Sequence, residues 1–455
     1  CFLKAIHIMR MLPVLTLAAL LPIIAAPASG QVLYQPTQNP KELISASPWN
    51  WNFSPEQITV TQSAGSNGTI LTTIGAGPSN ENRGGFNISN GGFYGKVDDE
   101  NHVCPESPKG LVLNSRILWS FSAAYNFLQK EEYLLPARRA FDYIKEHFLD
   151  KEFGGAYWSV DFKGNMLNGK KQIYGLAFCI YGLSEFYKMY GDEDALRYAI
   201  DLFQCMEKYS YDGKLNGYFE AFTREWNTVE DFRLSEKDDN EKKTMNTHLH
   251  IIEAYANLYE VWNDSFLKNQ VENLFDVFDR HIIDKSGHLH LFFDEQWISK
   301  SGLVSFGHDV EAAWLLQQCA EKIQNEKWRE KMKYTAVQTA NAAAEGLDND
   351  GALWYEFDSS SNHLVKEKHW WPQAEAMIGF MNAFEITQQE KYLTNSYNAW
   401  QFIKNHIRDN KYGEWFWGIN EDYSIMKNQD KAGFWKCPYH NSRACIEVIK
   451  RLDNL

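Results

Sequence analysis

The sequence has no Cys-x-x-Cys pair and no His-Glu-x-x-His box, and its seven cysteines, at 1, 104, 179, 205, 319, 437 and 445, are odd in number and scattered. These gaps exclude a disulfide scaffold and leave no close-spaced set of zinc ligands, so no metal or other cofactor is expected. Positive charge is in short supply: 45 Lys and Arg against 59 Asp and Glu give a formal net charge of −14. A field of that sign repels a polyanion, and no nucleic-acid partner is expected. Long apolar runs are scarce too. Only residues 9–30, a basic start and an apolar stretch broken by Pro13 and Pro22 before small residues at Ala26 and Ala28, have that character. This pattern reads as a secretory leader and not as a membrane span.

Residues 1–30 are therefore expected to be a signal-peptide-like leader. The chain is then secreted or periplasmic if the leader is genuine, otherwise cytoplasmic, with no membrane association once mature. Residues 31–90 form an atypical segment, since 54–85 is rich in Gly, Ser and Thr and has no helical period. Aromatics, by contrast, are plentiful at 15 percent. Flat rings beside polar groups suit the CH faces and hydroxyls of sugars, although they equally suit a helical core.

From residue 91 the chain repeats itself. A Gly and aromatic hairpin recurs as "GGFYGKVDD" at 91, "GGAYWSVDF" at 154, "NGYFEAFTR" at 216, "GHLHLFFDE" at 287, "GALWYEFDS" at 351 and "YGEWFWGIN" at 412, with starts 61 to 71 residues apart. Each is followed by a helix that is apolar nearly all round: "LNSRILWSFSAAY", "KQIYGLAFCIYGL", "NTHLHIIEAYANLY", "GHDVEAAWLL", "HWWPQAEAMIGFMNAF" and "YHNSRACIEVI". Five of these precede a second, amphipathic helix. Six buried helices alternating with an outer layer predict an all-α domain over 91–455, an (α/α)6 barrel with short β-hairpins at one end; an open superhelix is the competing arrangement. The scheme supplies eleven helices, and the twelfth is not recognisable before residue 91.

In a closed ring the starts of the six inner helices face one end, and their first residues converge. Residues three or four apart share a helix face. Asn246, His250 and Glu253 therefore lie together, with His248 turned away, and the same rule groups His308 with Glu311, Trp371 with Glu375, and His440 with Arg443. The pocket mouth is expected to collect His250, His308, His440, Arg116, Tyr174, Asn246, Glu311, Trp371 and Trp435, with Arg443 pointing into the same cavity. Imidazoles titrate near neutrality, so two of them on opposite sides of a carbon can exchange the roles of base and acid. Arg and Asn could stabilise a developing oxyanion, at about 2.7 to 4 kcal/mol per donor. The chemistry suggested is proton transfer beside a carbonyl.

From about 91 to 452, "NTHLHIIEAYANLY", "GHDVEAAWLL", "KHWWPQAEA" and "GFWKCPYHNSR" occur in order, and with these motifs the sequence resembles the cellobiose 2-epimerases of the N-acylglucosamine 2-epimerase superfamily. The resemblance implies a cofactor-independent (α/α)6 isomerase that inverts C2 of the reducing-end sugar of β-1,4-linked disaccharides. It implies that His308 and His440 are the acid/base pair and that His250 assists ring opening and steadies the enediolate. Arg116 and Asn246 would hold the O1 and O2 region, Glu311 would orient an imidazole, Tyr174 would line the pocket, and Trp371 and Trp435 would stack on the sugars. A disaccharide is the expected partner and a monomer the expected state. An aldose-ketose isomerase or an N-acylglucosamine 2-epimerase could use similar histidines. An (α/α)6 glycoside hydrolase would instead need two carboxylates, for which Glu311 and Glu375 are available.

Overall fold

A computed structural model describes residues 90–454. The leader-like residues 1–30 and all but the last residue of segment 31–90 lie outside the described residues. The described residues form eleven α-helices and short strands, as the periodicity predicts. Six helices are buried over most of their surface: α1 (Leu111–Leu128), α3 (Ile173–Tyr190), α5 (Met245–Tyr259), α7 (Phe306–Lys322), α9 (Trp370–Thr387) and α11 (Tyr439–Asn454). Five others carry one apolar face each: α2 (Leu134–Tyr143), α4 (Glu193–Tyr209), α6 (Ser265–Val277), α8 (Glu326–Ala343) and α10 (Glu390–Phe402). In α1 every residue from Leu111 to Ala124 is buried, whereas α4 buries Ala195, Ala199, Leu202, Phe203 and Met206, a single stripe at helical spacing. None of the described helices is long and apolar enough to cross a membrane.

The turns between paired helices follow from their residues. Gly191, in the left-handed region at φ 64°, ends α3, and the next residue, Asp192, accepts the N–H groups of Asp194 and Ala195 to start α4. Each outer helix packs on the inner helix before it. Inner helices pack in chain order, α1 on α3, then α5, α7, α9 and α11, and α11 also packs on α1.

The strands are shorter than the hairpin motifs suggest, two or three residues each. Most of each motif is spent on a tight turn, with Gly154, Gly217, Gly287, Gly351 and Gly413 all at positive φ. Gly217 has a second reason: a Cβ there would fall 2.3 Å from the Trp297 ring. Pairing is between repeats. The strand leading into each inner helix pairs antiparallel with the hairpin of the next repeat: β1 (Lys109–Gly110) with β2 (Ser159–Val160), β3 (Lys171–Gln172) with β4 (Ala221–Phe222), and β5 (Lys243–Thr244) with β6 (Phe292–Phe293). The pattern continues with β7 (Leu303–Ser305) on β8 (Glu356–Asp358) and β9 (Lys368–His369) on β10 (Gly418–Ile419). Ala432, leading into α11, bridges to Val97 of the first hairpin.

A buried ion pair recurs with the hairpins. Lys171, Lys243 and Lys368 each stand two residues before an inner helix, and their ammonium groups reach Asp150, Asp212 and Asp348 at 2.7, 2.7 and 2.6 Å. Those aspartates also accept backbone N–H groups of their own turns, so one carboxylate holds both the loop and the next strand. At the opposite end, Lys188 of α3 and Lys322 of α7 both donate to Asn257 of α5, at 2.6 and 3.0 Å, which ties three inner helices together. Removing one member of a buried pair strands the other. Lys243→Met is expected to lower stability by about 3 kcal/mol in urea unfolding, and adding Asp212→Asn is expected to recover part of the loss, because the amide oxygen still accepts from the turn.

Candidate active site

The sixth residues of α1, α3, α5, α7 and α9 are Arg116, Phe178, His250, Glu311 and Glu375, and the fifth of α11 is Arg443. Nearer the helix starts stand Tyr174, Asn246, His308, Trp371 and His440. A belt of Arg, Phe, His, Glu, Glu and Arg thus lies about one turn below these residues. His248, fourth in α5, faces the other way: its ring accepts the Tyr218 N–H at Nε2 (2.8 Å) and donates from Nδ1 to the Thr244 carbonyl (2.6 Å). Burial lowers its pKa to about 3, as suits a structural imidazole.

The three imidazoles expected at the mouth are brought together. Each is held through Nδ1. That nitrogen of His250 donates to Glu253 (2.9 Å), that of His440 donates to Glu375 (2.7 Å), and that of His308 lies 2.8 Å from Ser305 Oγ. Among the described residues, Nε2 of each has no protein partner. Rings place the group further: Trp371 lies 4.7 Å from His308 and 5.7 Å from His440, centroid to centroid, so its indole sits beside both. Gly307 makes this possible, since a Cβ there would come within 2.5 Å of the Trp371 ring. Burial lowers His308 to about pKa 4 and holds His440 well below the ordinary value, with the charge of His250 adding to both effects. Both rings are therefore neutral at pH 7.

Arg443 does not point into the cavity as its spacing from His440 suggests. It lies beneath the imidazoles, 1 % exposed, and its guanidinium donates to Glu253 (2.5 Å), Glu375 (2.7 Å), Glu311 and the Tyr439 hydroxyl. Tyr439 in turn donates to Glu253 at 2.9 Å. The reason is electrostatic: three buried carboxylates from three helices need a cation, and the side chain with several fixed donors meets them. Glu311 is likewise engaged by Arg443 and makes no hydrogen bond to an imidazole, so the orienting carboxylates are Glu253 and Glu375 instead. Glu311, Glu375 and His440 offer ligand atoms within 4.8 Å of one another, a geometry able to hold a metal ion, and Arg443 supplies positive charge to both carboxylates there.

Arg116 is also buried. It donates to the Trp435 carbonyl (3.0 Å) and the Tyr174 hydroxyl (2.8 Å) and stacks over Phe178 and Tyr439, so it fixes Trp435 as well as carrying charge. Trp435 meets Trp158 and Tyr174 at 5.8 and 6.2 Å, and burial pushes the Tyr174 hydroxyl up to about 12. Asn246 Oδ1 is buried without a partner. Ser305 and Trp158 escape sequence reasoning. Ser305 stands three residues before His308, a spacing that could have drawn attention, whereas Trp158 comes from a different hairpin and leaves no local signal.

Glu253 shows what the guanidinium does. Burial raises its pKa, but Arg443 together with the hydrogen bonds from His250 and Tyr439 outweighs that, and the result is about 2 against an ordinary 4.5. Without Arg443, burial would raise Glu253 and push Glu375, already above its ordinary value, further up, and a raised carboxylate destabilises the fold as pH rises through 4.5. Arg443→Met is therefore expected to cost about 3 to 5 kcal/mol near pH 7, with the defect shrinking as pH falls toward 4.5, in urea unfolding at both pH values.

The profile of the N-acylglucosamine 2-epimerase (GlcNAc 2-epimerase) family matches residues 92–444. The chain is 50% identical over 361 residues to a cellobiose 2-epimerase of Bacteroides fragilis, covering 79% of this chain and 92% of that protein. It is 40% identical to a cellobiose 2-epimerase of Dictyoglomus turgidum, over 82% and 93% of the two chains. The solved cellobiose 2-epimerase of Bacillus thermoamylovorans superposes with a TM-score of 0.77 at 39% identity, over 81% of this chain and 94% of that one. With its matched region running from the first hairpin into the last helix, the chain belongs to the N-acylglucosamine 2-epimerase family.

Proposed function

We propose that this protein inverts C2 of the reducing-end sugar of β-1,4-linked disaccharides, converting cellobiose to glucosyl-mannose, as the names of its relatives suggest. The observation that carries the reading is the trio of imidazoles, each held by Nδ1 and open at Nε2, two of them beside the Trp371 indole. In the opened sugar, one of His308 and His440 takes the C2 proton. The C–H electron pair becomes the C1–C2 double bond, and negative charge gathers on O1. The other ring, made an imidazolium by a proton taken from water, returns a proton to the opposite face of C2 while the carbonyl reforms, and the first ring releases the proton it took to water. A neutral resting state suits the first step, and the enediolate's charge favours the imidazolium that the second step requires.

Arg116 and Asn246 supply positive charge and an amide where the oxyanion develops, and His250 assists ring opening. Trp371 and Trp435 are the sugar platforms. The unpartnered Asn246 oxygen fits a role as acceptor for a sugar hydroxyl. We further propose that residues 91–455 close as one (α/α)6 barrel; the packing of α11 on α1 and the Val97 to Ala432 bridge support that closure. A hydrolase would need two free carboxylates facing the glycosidic bond. Glu311 and Glu375 are both bound to Arg443 and buried, which argues against it.

Cellobiose incubated in D2O and followed by proton NMR is expected to gain deuterium at C2 together with a mannose-type anomeric signal. A ketose product would instead identify an aldose-ketose isomerase. His440→Ala is expected to lower C2 exchange by at least about a hundredfold, in line with the loss of a positioned acid/base group, while disaccharide binding by calorimetry persists. Full turnover in that variant would contradict the assignment.

A further inference from the structure

One repeat breaks the lysine rule. Lys109, Lys171, Lys243, Lys368 and Lys436 stand two or three residues before α1, α3, α5, α9 and α11, each with a buried ammonium bonded to its own hairpin region. Before α7 that place is Val304. The turn aspartate of this repeat, Asp284, accepts the N–H groups of Ser286, Gly287 and His288 in its own loop. A cationic group returns at a different point. His288 Nδ1 lies 2.7 Å from Asp309 Oδ2, and Asp309 Oδ1 accepts the Leu289 N–H at 2.9 Å.

Asp309 is fully buried, is the fourth residue of α7, and directly follows His308. At the same place α5 uses His248 and α9 uses Gln373 to accept a hairpin N–H, from Tyr218 and Leu353. Those clasps are uncharged, whereas α7 alone of the three uses a carboxylate. A carboxylate without solvent needs a positive or strongly donating partner. His288 is that partner. Glu345, at the end of the outer helix, faces its other nitrogen at 3.5 Å, the Phe306 ring lies 6.3 Å away, and Asp284 and His290 share its loop. Burial lowers the pKa of His288, but the hydrogen bond and charge of Asp309 outweigh it, so the net shift is upward.

We propose that His288 is a positioning residue for His308: clasped to Asp309, it fixes the first turn of α7 and so holds the His308 imidazole against Trp371. The proposal rests on reading His308 as an acid/base group. The clasp acts through the hairpin backbone as well, because Asp309 grips Leu289 beside it, so helix start and hairpin move as one unit. The proposed sugar contacts at Arg116 and Asn246 belong to α1 and α5, and Trp435 to the loop before α11. Displacing α7 therefore acts on the chemical step more than on binding, and a shift of about 1 Å costs up to about a hundredfold in rate.

The test compares two polar replacements in the full chain. Asparagine places its amide near the position of Nδ1 and can still donate to Asp309, whereas glutamine reaches toward the position of Nε2 and Glu345. His288→Gln is expected to lower kcat on cellobiose about tenfold or more with KM within about twofold, and His288→Asn is expected to regain most of that loss. Circular dichroism and thermal midpoints confirm that both are folded at the assay temperature. An unchanged kcat in His288→Gln, a rise in KM with kcat held, or an Asn variant as slow as the Gln variant each overturns the proposal. His308→Gln is assayed beside them. Full turnover there defeats the acid/base reading itself, whereas an inactive His308→Gln with an unimpaired His288→Gln removes only the positioning role.

Discussion

One guanidinium carries the centre of this molecule. Arg443 donates to Glu253, Glu311 and Glu375, carboxylates from three different inner helices, in a region where none of them reaches solvent. A buried charge without a partner costs several kcal/mol, so the three helices can share this core only with the cation in place. Its effect reaches the imidazoles, since two of those carboxylates accept from His250 and His440. Each ring is thereby fixed in orientation and tautomer, with Nε2 as the nitrogen left for chemistry. In the proposed reaction Arg443 acts through its neighbours and not by contact with substrate.

The sixfold repeat is the scaffold on which this asymmetry is written. Equivalent places in successive helices hold Arg116, Phe178, His250, Glu311, Glu375 and Arg443, six side chains of which only one carries no polar group. Repeats of packing need similar residues, and the outer faces and hairpins supply them. The belt positions differ because they meet one another across the interior, where charges must balance, as Arg443 does with three carboxylates. The fold therefore fixes where side chains stand, and the differences among repeats decide what they do.

How much of this is legible in the sequence depends on whether a feature is local. Helix order and the buried or surface character of each helix follow from periodicity, so eleven helices could be read from the chain. His250, His308 and His440 could be singled out because each stands at the start of an apolar helix, where packing needs no imidazole. The partners of those rings are another matter. Glu375 and His440 are 65 residues apart, and Arg443 reaches Glu253 across 190. Nothing local marks such pairs, and helical spacing alone places Arg443 beside His440 in the cavity when the demand of three carboxylates draws it beneath. The hairpin lysines were hidden for a different reason: a lysine beside a Gly-rich turn ordinarily reads as surface, and only a count across repeats shows that five of them share one buried place.

The central claim is spatial, that His308 and His440 approach one carbon from opposite faces while Trp371 flanks both. A crystal structure with an open-chain reduced disaccharide, in which the reducing-end sugar cannot close its ring, measures it most directly. The account predicts Nε2 of His308 and Nε2 of His440 on opposite faces of C2, each roughly 3 to 3.5 Å from it. Both nitrogens on the same face, or either one well out of contact with that carbon, would contradict it.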